Sequence, residues 1–164
     1  MAVYYGMSGR GSKGEIADAV GVEKHGTRRT RRKRSSRRHL FDELERAGKA
    51  IVDAGLKVHR SLGPGLLESV YEHCLAYELQ SRGLAVQRQV ALPVTYEGIV
   101  LEAGYRLDLI VEKAIVLEIK AVEALTRLHE AQMLTYLRLS RKRLGYLMNF
   151  NVVLFKQGLR RVVH

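Results

Sequence analysis

The sequence predicts an α+β domain over residues 40–164, a mixed β-sheet flanked by helices in the order ααβββαβ(β). Three observations carry this. Two segments with helical spacing precede any strand-like run. A block of Leu-, Ile- and Val-rich segments follows, broken by tight turn signals. One more amphipathic helix and two short strands close the chain. Helices that fall at the ends of a strand block, rather than after every strand, pack on a mixed sheet within a single domain.

The elements follow in order. Leu40, Phe41, Leu44, Ala47, Ile51, Ala54, Gly55 and Val58 recur at helical spacing and predict a first helix to about Ser61. Gly63-Pro64-Gly65 breaks it. A second helix is expected over 66–82, stopping before Gly83. Strands are expected over 85–96, 99–111 and 115–122, with a Glu97-Gly98 turn between the first two. A third helix covers 126–141, followed by strands over 144–151 and 159–163.

The middle strands carry charges that need a reason, because an unpaired buried ion costs several kcal/mol. In Arg106-Leu107-Asp108-Leu109-Ile110-Val111 and Ile115-Val116-Leu117-Glu118-Ile119-Lys120 the side-chain alternation discriminates between turn lengths. A three-residue turn of Glu112, Lys113 and Ala114 pairs Val111 with Ile115, Leu109 with Leu117 and Leu107 with Ile119, leaving one wholly apolar face. The other face then holds Asp108 opposite Glu118 and Arg106 opposite Lys120. A two-residue turn would mix polar and apolar residues on both faces. Opposed carboxylates destabilise a hairpin unless a cation lies between them. A divalent metal held by Asp108 and Glu118, with Lys120 neutralising phosphate charge, supplies such a reason. A solvated Glu118–Lys120 edge pair with Asp108 nearby is the bland alternative, and on this segment alone the two stay level.

Composition narrows the classes. The 164 residues suffice for one sizeable core. No apolar run approaches the length of a membrane span, and no secretory signal is evident, so a cytoplasmic protein with no membrane partner is expected. The single cysteine, Cys74, sits in an amphipathic helical pattern and reads as a small buried hydrophobe. His129-Glu130 begins like a zinc-protease helix, but Met133 occupies the place of its second histidine. The formal net charge of +11 is uneven: residues 1–40 carry 11 of the 28 Lys and Arg against Glu15, Asp18 and Glu23. With six glycines and no sustained apolar periodicity, residues 1–39 read as a disordered basic extension. Arg28, Arg29, Arg31, Arg32, Lys33, Arg34, Arg37 and Arg38 could neutralise several phosphates without reading sequence. A merely solvated tail, or an extension from a mis-assigned start codon, is the alternative.

Helix, three-strand meander, helix, strand, with Asp108 and Glu118-Ile119-Lys120, resembles the PD-(D/E)xK superfamily of restriction-endonuclease-like nucleases. More closely, Gly65-Leu66-Leu67-Glu68-Ser69-Val70-Tyr71 is similar to the GxxExxY pattern of a family of small bacterial and archaeal proteins in that superfamily. Val58–Gly65, Tyr105–Asp108, His129–Gln132 and Asn149–Asn151 share the resemblance, which covers about residues 45–164.

The resemblance implies a restriction-endonuclease-like fold and a Mg²⁺- or Mn²⁺-dependent phosphodiesterase site. Asp108, Glu118, the backbone carbonyl of Ile119 and Glu68 are the expected metal contacts. Lys120, Glu68, Gln132 and Tyr136 are the expected catalytic groups. Each has a bland alternative: a salt bridge for Lys120, a helix-dipole or capping contact for Glu68, and a tyrosine over the core with an outer glutamine for the Gln132–Tyr136 pair. Tyr71 could serve packing alone, and His59 reads as a surface residue. The expected function is cleavage of nucleic acid, with DNA favoured. The other class is a non-catalytic nucleic-acid-binding or partner-dependent module that keeps the fold. Self-association into a homodimer or larger complex stays open.

Overall fold

The computed structural model describes residues 28–102 and 105–164. Helix α1 spans Arg28–Leu62 and α2 spans Glu68–Ser81. Strands β1 (Val86–Ala91), β2 (Val94–Tyr96), β3 (Ile99–Leu101), β4 (Arg106–Val111) and β5 (Ile115–Lys120) follow. Helix α3 (Arg127–Ser140), β6 (Leu144–Asn149), a short 3-10 turn at Phe155–Gln157 and β7 (Leu159–Val163) complete the chain. The main sheet has five strands in the order β1-β4-β5-β6-β7, with only β5 and β6 parallel, joined by α3. This is the mixed, helix-flanked α+β architecture expected from sequence.

Two layers of apolar packing enclose the sheet. On one face, Ala47, Ile51, Ala54 and Val58 of α1, and Tyr71, Leu75, Ala76 and Leu79 of α2, pack with Leu109, Val111, Ile115, Leu117 and Ile119. On the other, Met133, Tyr136 and Leu137 of α3 pack with Leu107, Ile110, Val116 and Leu147. β6 lies between two strands and is buried throughout. At its Gly145 a Cβ would meet Met133 Sδ at 2.7 Å, so glycine sets how closely α3 approaches the sheet.

Three departures from the expected elements have local causes. α1 begins at Arg28 rather than Leu40, so the backbone of 28–39 is helical where disorder was expected; Arg and Lys are good helix formers. Residues 1–27 lie outside the described residues. The expected strand 85–96 divides at Leu92-Pro93, because proline cannot donate to a ladder. Its second half pairs instead with β3 in a separate hairpin, through a turn where Glu97 and Gly98 both take positive φ, so the expected strand 99–111 is also divided, into β3 and β4 of different sheets.

The β4–β5 hairpin has the expected odd-length turn, with Leu109 opposite Leu117 and Val111 opposite Ile115. The ladder ends at Leu109–Leu117, so the expected pairs Leu107–Ile119, Asp108–Glu118 and Arg106–Lys120 do not form. The reason lies one strand away. Gln89, in the middle of β1, has φ of 50°. Strand residues two apart normally share a face. Here Val86 packs on the α1/α2 side and Val90 on the α3 side. β4 does the same around Asp108: Leu109 faces α1/α2 and Leu107 faces α3. Gln89 and Asp108 therefore mark a matched inversion of facing in two paired strands.

Candidate active site

The inversion frees the Asp108 side chain from both packed layers. Its Oδ2 accepts the backbone N–H of Ile119 at 2.8 Å, taking the place of a ladder partner. N–H and C=O of one strand residue point the same way, so the Ile119 carbonyl also points toward the β4 side, beyond the end of the ladder. Asp108 Oδ1 has only a long contact, 3.4 Å from Gln89 Nε2. Burial raises the Asp108 pKa; the Ile119 N–H and Lys120 oppose that without overcoming it, and Glu72 and Glu68 add to it.

Glu118 is 4% exposed. Its Oε1 accepts from Lys120 Nζ at 2.7 Å, whereas its Oε2 is buried with no partner. Burial, then the Asp108 charge, pushes its pKa up to about 7 despite Lys120. Burial works against the charge on Lys120, but Glu118, Glu68 and Asp108 together outweigh it and the ammonium is held above its ordinary value. The salt-bridge reading of Lys120 thus describes a contact that exists, while the edge-pair reading fails because Glu118 is in the interior.

Glu68 is not a cap. The N-cap of α2 is Leu67, without a side-chain cap bond. Glu68 Oε1 instead accepts the N–H of Ala121 at 2.9 Å, at the exit of β5 beside Lys120. Tyr71 explains how the helix start is held there. Its hydroxyl donates to Gly63 O at 2.6 Å and accepts from Leu66 N–H at 3.1 Å, while its ring stacks on Phe150 at 4.6 Å. Gly63 and Gly65 supply the positive φ that this tight turn requires. Tyr71 is therefore more than packing: it clamps the loop that presents Glu68.

On α3, Thr126 and His129 form a capping box that fixes the helix start. One turn on, Gln132 Nε2 donates to Tyr136 Oη at 2.6 Å. Burial, then Glu118, raises the Tyr136 pKa. Glu68, Lys120, Gln132 and Tyr136 border one cleft of about 710 Å³, together with His129, Tyr105, Leu128, Val94 and Val122. The hydroxyl of Tyr136 belongs to this polar edge, although its ring belongs to the core.

The sequence reading gave no site role to Glu72, Gln89 or Asn149, and it misjudged the burial of His59 and Cys74. Glu72, one helical turn after Glu68 and 7% exposed, receives Arg88 Nε at 3.0 Å and Gln89 Nε2 at 2.7 Å. Gln89 thus links Glu72 to Asp108. The i, i+4 spacing of Glu68 and Glu72 was the available signal. Asn149, fully buried, brackets Val122 by accepting its N–H at 3.1 Å and donating to its carbonyl at 2.7 Å, which fixes the chain leaving Lys120. His59 is buried rather than superficial, with Nε2 2.7 Å from Val152 O, and Cys74 is only partly buried. Of the basic block, Arg38 has a described side chain, and it is exposed; the side chains of Arg28, Arg29, Arg31, Arg32, Lys33, Arg34 and Arg37 lie outside the described residues.

The donor set fits a hard divalent ion in part. Glu118 Oε2 is orphaned, Asp108 Oδ1 is loosely held, and both are oxygen donors on adjacent strands. Among the described residues no group of three or more His, Cys, Asp or Glu could hold a metal alone, so an ion here would need water or substrate oxygens as well.

A mixed sheet with an acid on each of two adjacent inner strands, a lysine two residues on, and helix-borne polar groups at their ends has the form of a restriction-endonuclease-like domain. The family model of the PD-(D/E)XK nuclease superfamily matches residues 45–162, and the chain belongs to that superfamily. Neither a curated protein nor a solved structure matches it. No described helix is long and apolar enough to cross a membrane.

Proposed function

We propose that this chain is a metal-dependent nuclease that hydrolyses phosphodiester bonds, with DNA the favoured substrate, acting in the cytoplasm. The observation that carries it is the buried, unpartnered Oε2 of Glu118 on the strand next to Asp108. A folded protein rarely leaves such an atom unsatisfied without a functional reason. Asp108, Glu118 and the Ile119 carbonyl would hold Mg²⁺ or Mn²⁺, with Glu68 contacting it directly or through water. The ion supplies charge that acidifies water and offsets developing negative charge on the phosphate. Lys120, held in its charged form with Glu118 as its ion-pair partner, would stabilise charge developing on the scissile phosphate. Gln132 and Tyr136, bonded to each other at the cleft edge, orient the phosphate and Lys120. Residues 40–164 form the catalytic domain in this reading, and residues 1–39 add sequence-independent attraction to phosphates.

The alternative is a non-catalytic nucleic-acid-binding module, or a partner-dependent one that cuts only in a homodimer or larger complex. Purified protein incubated with plasmid and single-stranded substrates, with Mg²⁺, Mn²⁺ or EDTA, tests both readings beside Asp108→Ala. Cleavage that needs metal and Asp108 supports the nuclease; nucleic-acid binding without cleavage under every condition supports the module.

A further inference from the structure

The cleft beside Lys120 has a chemistry of its own. One end carries Lys120, Glu68 and the Gln132–Tyr136 pair. The remainder is mostly apolar, with Val94, Tyr105, Val122, Leu128, Ala131 and Leu139 beside the polar His129 and Thr135. Leu128 is 76% exposed and Tyr105 is 52% exposed. The Tyr105 ring meets Tyr136 edge-on at 6.4 Å, so one of its faces need not be covered by protein. Lys120 is the one lysine or arginine among the lining residues, and it already contacts Glu118.

A double helix presents phosphates and sugars outward and keeps its base faces stacked inside. A protein groove that grips it is lined with lysine and arginine. This cleft offers apolar and aromatic surface next to a single cation. That is the complement of an unpaired nucleotide, with its base against Tyr105 and Leu128 and its phosphate at Lys120. The volume of about 710 Å³ lies in the range of sites that enclose small organic groups.

We propose that the cleft takes an unpaired base next to the scissile phosphate, so that the substrate is a single-stranded segment rather than an intact duplex. This rests on the nuclease reading for the position of the phosphate. The test uses the full chain in EDTA and fluorescently labelled oligonucleotides: single-stranded DNA, single-stranded RNA, and blunt duplex DNA. Affinities of wild type, Tyr105→Ala and Tyr105→Phe are compared at fixed salt, because the basic extension attracts all three. Tyr105→Ala is expected to lower single-strand affinity about tenfold, the scale of one lost base–aromatic stack. Duplex affinity should hold, and Tyr105→Phe should bind as wild type. The DNA and RNA arms show which strand the cleft prefers.

Equal loss on single strand and duplex, or no loss on either, overturns the proposal. So does a Tyr105→Ala variant whose self-association, measured by sedimentation, falls while oligonucleotide affinity does not, because the apolar wall is then a contact between copies. A parallel cleavage assay with Mn²⁺ separates this proposal from the nuclease reading. Tyr105-dependent single-strand binding without any cleavage sinks the nuclease and leaves the cleft assignment standing. Cleavage of blunt duplex as fast as single strand does the reverse.

Discussion

Glu118→Gln removes a buried charge and keeps nearly the same volume, so its effect can be worked out from the site. The Glu118 pKa lies at about 7 in the folded protein against an ordinary 4.5. A displacement of about 2.5 pH units at about 1.4 kcal/mol each is roughly 3–4 kcal/mol. The group is in the interior, so solvent screening takes little from this. Its sign follows from proton counting: between pH 4.5 and 7 the folded protein holds a proton on Glu118 that the unfolded chain has lost. Stability from this group is therefore greatest on the acid side and declines as pH rises through the folded pKa. Urea unfolding in EDTA between pH 5 and 8 should show wild type losing about 2–3 kcal/mol relative to Glu118→Gln, with Asp108, whose charge acts on Glu118, the neighbouring acid whose titration the substitution also changes. Mg²⁺ or Mn²⁺ should restore much of that loss at pH 8 in wild type alone, since binding to the ionised form stabilises the fold. Wild-type and variant curves that run parallel across this range, with or without metal, would refute the placement of Glu118 as a buried, metal-facing acid.

Other perturbations separate roles at the same site. Lys120→Ala should reduce cleavage about a hundredfold or more, as when one preorganised donor is lost, while isothermal titration still shows metal binding; loss of the fold instead would make Lys120 a structural partner of Glu118. Gln89→Gly should be about 1 kcal/mol more stable than Gln89→Ala by thermal unfolding, because alanine keeps the left-handed strain and glycine does not. Both should weaken metal binding if Gln89 orients Asp108, and equal stabilities would contradict the left-handed backbone. Deleting residues 1–39 should leave circular dichroism of the core intact, since among the described side chains burial in α1 begins at Ala47. The same deletion should flatten the salt dependence of nucleic-acid binding, and an unchanged slope would remove the basic block from the interface.

The order of elements was legible because each buried face leaves a period. The spacing of Ala47, Ile51, Ala54 and Val58 marked α1, and the alternation across the β4–β5 turn selected its odd length. Lys120 stood out as a charge in an apolar strand, Glu68, Gln132 and Tyr136 were chosen with the help of motif resemblance, and the structure brings the four to one cleft. What stayed hidden was the end of the ladder at Leu109–Leu117. A glutamine in the left-handed region leaves no mark in composition or pattern, and a strict alternation rule carries straight across it. The error at Leu107 and Asp108 followed directly, and with it the linkage from Glu72 through Gln89. The early start of α1 was missed for a different reason: the basic block lacks apolar periodicity, and intrinsic propensity alone is a weak signal.

The inversion at Gln89 also bears on how the folded chain avoids its own kind. β1 is an outer strand of the five-stranded sheet, with a row of backbone groups on its free side. A straight run of that sort can template another strand, from a second chain or a partly unfolded neighbour. The left-handed residue splits the six residues of β1 into two short runs with mismatched facing, so an incoming strand cannot follow it without the same kink. The backbone distortion that turns Asp108 into the site thereby blunts the sheet edge beside it. Replacements that straighten β1 should cost colloidal stability as well as the geometry of the acid.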